Sequence, residues 1–338
     1  MGRIAEATLL ADDLTGALEV GAAFAAQGIG TQVTTRITTQ QTTPALVIDT
    51  ETRHMNPAGA AQRVRELTDR IGDRLIYIKT DSTLRGNIGA ELTAVSKASP
   101  VLYAPAYPRM GRTVRNGRLF VDGVPVEKTQ FAYDALNPVR DGCIAHLFDY
   151  RACVSIRDGE TDEDIAESVR EAIAGGYIAA GPAAVAQAIA QMIDLPRTER
   201  ISIPPVRKVL VVNGSVHERS LLQIENAEAD RAFLWTIWKR EPGGSRTPLE
   251  NAADVGNRIS ELIKAGDFDA LVVFGGDTAY AILNALGITT VDSIAEILPG
   301  VPVSRIPGGP LLITKAGGFG PPDLLQRLHA GPQSLSDP

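Results

Sequence analysis

A two-domain α/β protein, each domain built on a mainly parallel sheet flanked by helices, is the fold this sequence predicts, and three observations predict it. Short β-branched or Leu-rich runs alternate with helical patterns from end to end, the pattern of strand–helix–strand crossovers. At about 150 residues per domain, the 338 residues correspond to roughly two domains. The charged, proline-bearing segment Arg197 to Pro205 reads as a linker, so the domains are expected over 1–196 and 206–338.

In the first domain, strands are predicted at Ala7 to Leu10, Ala45 to Asp49, Leu75 to Lys79, Val101 to Ala104 and Ala152 to Ile156. Helical spacing predicts helices at Leu14 to Gln27, Pro57 to Ile71 and Ile88 to Lys97. Thr161 followed by Asp162, Glu163 and Asp164 marks a helix start, because a hydroxyl caps it and acids suit the positive end of the dipole. That helix is expected to stop near Gly175-Gly176, and another to begin at Pro182. The Thr-rich segment Thr31 to Thr43 reads as exposed strand and loop. Asn116-Gly117 and Asp122-Gly123 bracket Arg118 to Val121, and these turn pairs tolerate positive φ, so a small antiparallel hairpin excursion is predicted there. Arg109, Arg112, Arg115 and Arg118 recur every three residues, which does not align them on one strand face. A solvated hairpin and an anion-binding role for one or two of these arginines both stay open.

The second domain restarts the alternation with strand Lys208 to Asn213, helix Glu218 to Ala229, strand Ala232 to Trp238 and helix Pro248 to Ala265. Strand Leu271 to Phe274, helix Thr278 to Leu286, strands Val301 to Ile306 and Leu311 to Lys315, and a last helix from Pro322 follow.

Composition excludes several classes of function. A net charge of -7 repels a polyanion, so nucleic acid is not the expected partner. No apolar run approaches a membrane span, since the Ala-rich stretch Tyr177 to Ile193 is broken by Gly181-Pro182, Gln187 and Gln191. No secretory signal is visible, and Cys143 and Cys153 alone make neither a disulfide framework nor a zinc site, so a reduced cytoplasmic setting is expected. His54, His146, His217 and His329 lack ligand spacing. Neither a P-loop nor the dinucleotide G-x-G-x-x-G pattern occurs.

The chemistry-bearing residues fall where strands end, which is where open α/β sheets bind ligands. Asp12 and Asp13 follow the first strand; paired carboxylates suit a polyol and either can accept a proton, with a cap on the next helix as the competing reading of Asp13. Lys79, Asp81, Ser82 and Arg85 crowd after a later strand, a constellation for a small hydroxy acid, since a guanidinium holds a carboxylate by two parallel hydrogen bonds. An Asp81–Arg85 ion pair at a helix start is the competing reading. Arg53 comes from a third strand end. In the second domain, Asn213-Gly214-Ser215, Gly275-Gly276-Asp277-Thr278 and Ala316-Gly317-Gly318 offer three glycine turns beside helices, together pointing to a nucleotide or phosphoester site.

At these residues the sequence resembles the four-carbon acid sugar kinases, which act on threonate, erythronate and 3-oxo-tetronate type substrates. The resemblance runs through Ala11 to Ala17 (ADDLTGA), Ile78 to Leu92 (IKTDSTLRGNIGAEL), Ala104 to Val126, Asp158 to Asp164, Val211 to Ser215, Val272 to Thr278 and Ile313 to Gly320. It implies an N-terminal acid-sugar domain with Asp12, Asp13, Arg53, Lys79, Asp81, Ser82 and Arg85 in the sugar site. It also implies a C-terminal ATP domain with Ser215, Gly275, Gly276, Asp277, Thr278, Gly317 and Gly318 in the nucleotide site. Three departures stand out: a shorter chain, Glu19 where the family often has Asp, and Gly318 where Asn is common.

The expected reaction is transfer of the ATP γ-phosphoryl to a hydroxyl of a small acid sugar, with Asp13 as base and Asp81 as the second candidate. Arg85, with Lys79 or Arg53, would hold the carboxylate, and Mg2+ would bridge phosphates largely through water. In-line transfer leads to the expectation that the two domains close on each other. A branched or oxidised acid, an ATP-independent isomerase or aldolase, and a non-catalytic sensor are the alternatives. A homodimer is the default assembly.

Overall fold

The structure, a computed structural model, describes residues 5–330 apart from 39, 135, 150, 151, 200 and 240–247, and apart from the side chains of 248–250. The start of the 1–196 span and the end of the 206–338 span lie outside the described residues. The chain divides into two compact units, Met1–Thr198 and Glu199–Pro338.

The first unit runs β1 (Ala7–Ala11), α1 (Leu14–Ala25), β2 (Thr31–Thr34), β3 (Ala45–Asp49), α2 (Pro57–Ile71), β4 (Leu75–Lys79), α3 (Ile88–Val95) and β5 (Val101–Tyr103). It continues through β6 (Arg112–Arg115), β7 (Arg118–Val121), β8 (Val124–Pro125), β9 (Val154–Ile156), α4 (Asp162–Gly175), β10 (Ile178–Gly181) and α5 (Ala183–Met192). Its main sheet has the order β2-β3-β1-β4-β10-β5-β9 with every pair parallel. Parallel strands buried on both faces read as continuous apolar runs, and β1 and β3 are buried at every position. Chain direction reverses beside β1, one crossover leading to β2 and the next to β4, so right-handed connections place α1 and α2 on opposite faces. Every residue of α1 (LTGALEVGAAFA) is buried, and its small side chains admit α5 closely.

The hairpin excursion is present as the antiparallel sheet β6-β7-β8. Asn116 and Gly117 have φ of 50° and 69°, and Asp122 and Gly123 have 49° and 79°, the positive pairs that two-residue turns demand. Thr161 caps α4 in a reciprocal capping box with Asp164, and Gly176 ends it in the left-handed region.

Two expectations are corrected here. Thr31–Thr34 is not an exposed strand; Thr31, Val33 and Thr34 are buried because β2 has α1 packed against it. The run Ile178–Gly181, read only as part of an Ala-rich stretch, is β10 and lies centrally between β4 and β5. Alanine is a poor strand former by propensity, and here the narrow space between sheet and helix overrides it.

The second unit comprises β11 (Val209–Asn213), α6 (Glu218–Ala229), β12 (Thr236–Lys239), α7 (Pro248–Ala265), β13 (Ala270–Phe274) and α8 (Gly276–Ala285). It ends with β14 (Thr290–Leu298), β15 (Val301–Arg305), β16 (Leu311–Lys315) and α9 (Leu324–Ala330). Strands β12-β11-β13-β16 are parallel, while β15 and β14 continue the order antiparallel. β14 was not anticipated, and β12 begins four residues later than Ala232. The core gathers Val211, Val272, Phe274, Val303, Ile313 and Leu324 between the sheet and its helices.

Candidate active site

In the first unit the neighbouring strands β3, β1 and β4 end level, with Asp49 opposite Ala11 and Ala11 opposite Lys79. The loops that follow therefore share one sheet edge, beside the point where connections depart in opposite directions. The amides of Thr52 and Arg53 donate to the Asp12 carbonyl at 3.1 and 3.2 Å, folding the loop after β3 over Asp12. Arg53 then grips the Asp12 carboxylate with Nε and Nη2 at 2.7 and 2.8 Å, and its Nη1 donates to Asp13. The other Asp13 oxygen accepts from the Gly16 amide at 2.9 Å and caps α1, so the residue serves as the predicted cap while its second oxygen joins the cluster around Arg53. Asn87 pins the same loop by donating to the Thr52 and Met55 carbonyls at 2.8 and 2.9 Å.

Asp81 accepts from the Thr83 amide at 2.8 Å and from Arg85 Nη2 at 2.7 Å, while Arg53 Nη2 stands 3.9 Å away. Thus the predicted Asp81–Arg85 pair is present, and through Arg53 it joins Asp12 and Asp13 in one cluster. Burial opposes ionisation of Asp81, but Arg85 and Arg53 overcome it and hold the carboxyl well below its usual range. Burial pushes Asp12 the other way, upward, against the pull of Arg53. Lys79 ends β4 with its ammonium 4.0 Å from Glu19, both buried. It reaches the first turn of α1 because residue 16 is glycine; a β-carbon there would lie 2.9 Å from Nζ. Ser82 is half-buried, and its hydroxyl makes no hydrogen bond among the described residues. Leu84 carries φ of 66° between Asp81 and Arg85, a non-glycine residue in the left-handed region, and such strain gathers at ligand sites.

Three participants were not anticipated, and a fourth comes from the hairpin arginines whose role stayed open. Asp134 accepts from Arg85 Nη1 at 3.2 Å, and Phe131 lies beneath the same guanidinium at 5.4 Å. Both come from a segment about fifty residues downstream, with no local signal to mark it. Glu91, in the first turn of α3, is pushed up to about 7 by burial and then by the charge of Asp12. Arg112 is the fourth. Arg109, Arg115 and Arg118 pair at the surface with Asp162, Glu160 and Glu127, but Arg112 has no ion pair among the described residues. Its Nε is sealed from water without a hydrogen-bond partner, burial lowers its pKa, and Asp122, Asp81 and Arg85 act on its charge.

In the second unit, β11, β13 and β16 are adjacent and also end level: Asn213 opposes Phe274, and Phe274 opposes Lys315. The three glycine turns consequently converge. A β-carbon on Gly214 would lie 1.8 Å from Thr278 Oγ1, and one on Gly317 would lie 2.7 Å from Ser215 Oγ. Asn213 Oδ1 accepts from the Ser215 amide at 3.1 Å, fixing the first turn. Gly275, with φ of 108°, precedes α8 and supplies no side-chain cap, and Asp277 is exposed in that first turn. Among the described residues the amides of Gly317 and Gly318 donate to no protein acceptor. Free amides around glycine turns at a helix start make an anion cradle. All seven residues predicted for the nucleotide site therefore lie at this one edge. No group of three or more carboxylate, His or Cys side chains that would cage a metal occurs among the described residues.

A family model described as a sugar-binding N-terminal domain matches residues 7–236, and one described as a nucleotide-binding C-terminal domain matches 239–325. Their junction falls within β12, whereas the compact units part after Thr198. We take the latter as the packing boundary, because β11 is hydrogen-bonded between β12 and β13. A D-threonate kinase of Bordetella bronchiseptica is 29% identical over 388 aligned positions covering 94% of this chain and 95% of that protein. A D-erythronate kinase of Heliobacterium modesticaldum is 24% identical over 417 positions, covering 93% and 94%. Such alignments exceed the 338 residues present, so the chain is shortened internally relative to both. A crystal structure from Salmonella typhimurium LT2, described as a tRNA synthase, superposes with a TM-score of 0.77 at 19% identity over 96% of this chain and 98% of that one, a likeness of fold. Matched in order by both domain models across most of its length, the chain belongs to the four-carbon acid sugar kinase family.

Proposed function

We propose that this protein is an ATP-dependent kinase that phosphorylates a hydroxyl of a small acid sugar of the threonate, erythronate or 3-oxo-tetronate type. The observation that carries the reading is the convergence of the Gly214, Gly275 and Gly317 turns on level strand ends, a phosphate cradle, in a chain whose other unit gathers guanidinium and carboxylate groups. In this reading Asp12, Asp13, Arg53, Lys79, Asp81, Ser82 and Arg85 bind the acid sugar. Ser215, Gly275, Gly276, Asp277, Thr278, Gly317 and Gly318 bind ATP.

Asp13 orients and deprotonates the attacking hydroxyl. Its side chain is 21% exposed, against 2% for Asp12 and 6% for Asp81, so a substrate reaches it. Asp81, held strongly ionised by Arg85 and Arg53, is a weak proton acceptor and serves to fix both guanidiniums. Arg53 is turned toward Asp12 and Asp13 and its side chain is 11% exposed, against 28% for Arg85, so the substrate carboxylate takes the edge of Arg85 now facing Asp134, with Arg112, whose Nε has no hydrogen-bond partner among the described residues, as a second cation. Mg2+, when bound, neutralises charge on the phosphates; the donor set here suits an ion that keeps its waters, with Asp277 the carboxylate beside the turns.

The reading extends to the cytoplasm as setting and to a homodimer as assembly; a dimer mass by light scattering is the expected outcome, and a monomer mass rejects it. Free Cys143 and Cys153 accord with a reducing compartment, and no described helix is long and apolar enough to cross a membrane. The internal shortening favours one second reading, a branched or oxidised acid as acceptor. A coupled ADP-release assay with Mg-ATP, screened against both enantiomers of threonate and erythronate, their 3-oxo derivatives and branched acids, tests both. ADP release above the no-substrate rate is expected, abolished in Arg85→Ala and lowered about 10²-fold or more in Asp13→Ala with ATP affinity retained. Silence across the panel overturns the kinase reading, and unchanged turnover in Asp13→Ala rejects it as base.

A further inference from the structure

Lys315, the last residue of β16, is 1% exposed, and its ammonium lies within the second unit directly under the third glycine turn. Nζ donates to Ser220 Oγ at 2.9 Å, to the Ala316 carbonyl at 3.1 Å and to the Gly317 carbonyl at 2.9 Å. Phe274, the level residue of β13, presents its ring at 4.3 Å. Ser220 spends its own hydrogen on the Gly317 carbonyl at 2.8 Å, so it can only accept from the lysine. Three acceptors require three hydrogens, which the ammonium has and the neutral amine lacks. No carboxylate answers this charge among the described residues; the charged group that acts on it is Arg219 of α6, of like sign. Burial, with Arg219 second, brings the lysine down to about 7. A buried cation kept without a counter-charge works against folding, and such groups cluster where a ligand supplies the missing charge.

We infer that Lys315 is a positioning residue of the nucleotide site: by holding the Ala316 and Gly317 carbonyls inward it turns the Gly317 and Gly318 amides toward a nucleotide phosphate, whose charge it also complements. The role presupposes the nucleotide-binding reading of the second unit. It differs from a merely structural role in one respect that can be measured. Removing the ammonium strands no carbonyl, because Ala316 still accepts from the Phe319 amide and Gly317 from Ser220. Lys315→Met therefore leaves melting temperature equal or higher while nucleotide binding falls.

The test is ADP binding by isothermal titration calorimetry, with melting curves, on the full chain and on Lys315→Met, Ser220→Ala and the double variant. Expected are ADP dissociation constants raised about ten-fold or more in Lys315→Met, and a double variant little worse than it, because both groups act on the same turn. In the ADP-release assay KM for ATP should rise in parallel while KM for the acid sugar stays within about two-fold. Wild-type affinity in a folded Lys315→Met, or additive losses in the double variant, overturns the inference. Should Lys315→Met fail to fold, wild-type affinity in Ser220→Ala overturns it. Failure of the wild-type chain to bind ADP removes the nucleotide-binding reading and the role with it, whereas normal wild-type binding with an indifferent lysine removes the role alone.

Discussion

Single side chains in the first unit are set by two opposed effects, burial that penalises charge and near neighbours that favour it, and the balance differs from one carboxylate to the next. At Asp81 the two guanidiniums win; at Glu91 burial wins, with the negative charge of Asp12 adding to it, and the group rises to about 7 from an ordinary 4.5. The sign of the consequence follows from proton binding. Between 4.5 and about 7 folded Glu91 keeps a proton that the unfolded chain has lost, so its contribution is fully present below 4.5 and is lost as pH rises through 7. Glu91→Gln, which keeps the neutral form, should flatten that part of the pH–stability curve and raise the melting temperature at pH 8 by about 2 °C or more. Melting curves from pH 5 to 8.5 on both proteins check this; parallel curves reject it. Asp12, Asp13, Lys79, Asp81 and Arg85 were legible as candidates because charged residues after apolar strands need solvent, partners or a ligand. Asp134 was not, and Arg112 was legible only as one of four hairpin arginines, since nothing in their own neighbourhoods distinguishes them from surface loop charges.

Elements matter here through where they stop. The turn after β11 lies so close to α8 that only glycine fits at residue 214, and the shape of the cradle depends on that approach. Gly214→Ala must push Thr278 Oγ1 away from 1.8 Å, so it should weaken ADP binding about ten-fold or more while costing about 1–3 kcal/mol of stability. Acid-sugar binding, seated in the other unit, should stay as in the wild type. Calorimetric titration with each ligand separates the two effects, and equal losses for both ligands would contradict the assignment of this turn to the nucleotide. The limits of α4 at Thr161 and Gly176 and the hairpin turn at Asn116-Gly117 were readable because caps and positive-φ turns are written in local sequence. β10 was not, because an alanine-rich strand is chosen by the space around it rather than by its own propensity.

At the scale of the whole molecule, two compact units for which separate ligands are proposed should respond to those ligands separately. Saturating ADP is expected to raise the melting of the second unit, and the acid sugar that of the first, so scanning calorimetry should show different parts of the profile moving. A single transition shifted equally by either ligand would show that the units unfold as one. The sequence by itself determined the α/β class, the antiparallel hairpin, the strand-end carboxylates and guanidiniums, and the three glycine turns, because periodicity, capping and turn chemistry act over a few residues. Only the tertiary structure decided that β3, β1 and β4 end level, that β11, β13 and β16 do the same, that Asp134 meets Arg85, and that Lys315 lies under its turn with no counter-charge among the described residues. Those facts arise from strand register and from burial, which depend on residues far apart in the chain and carry no local mark.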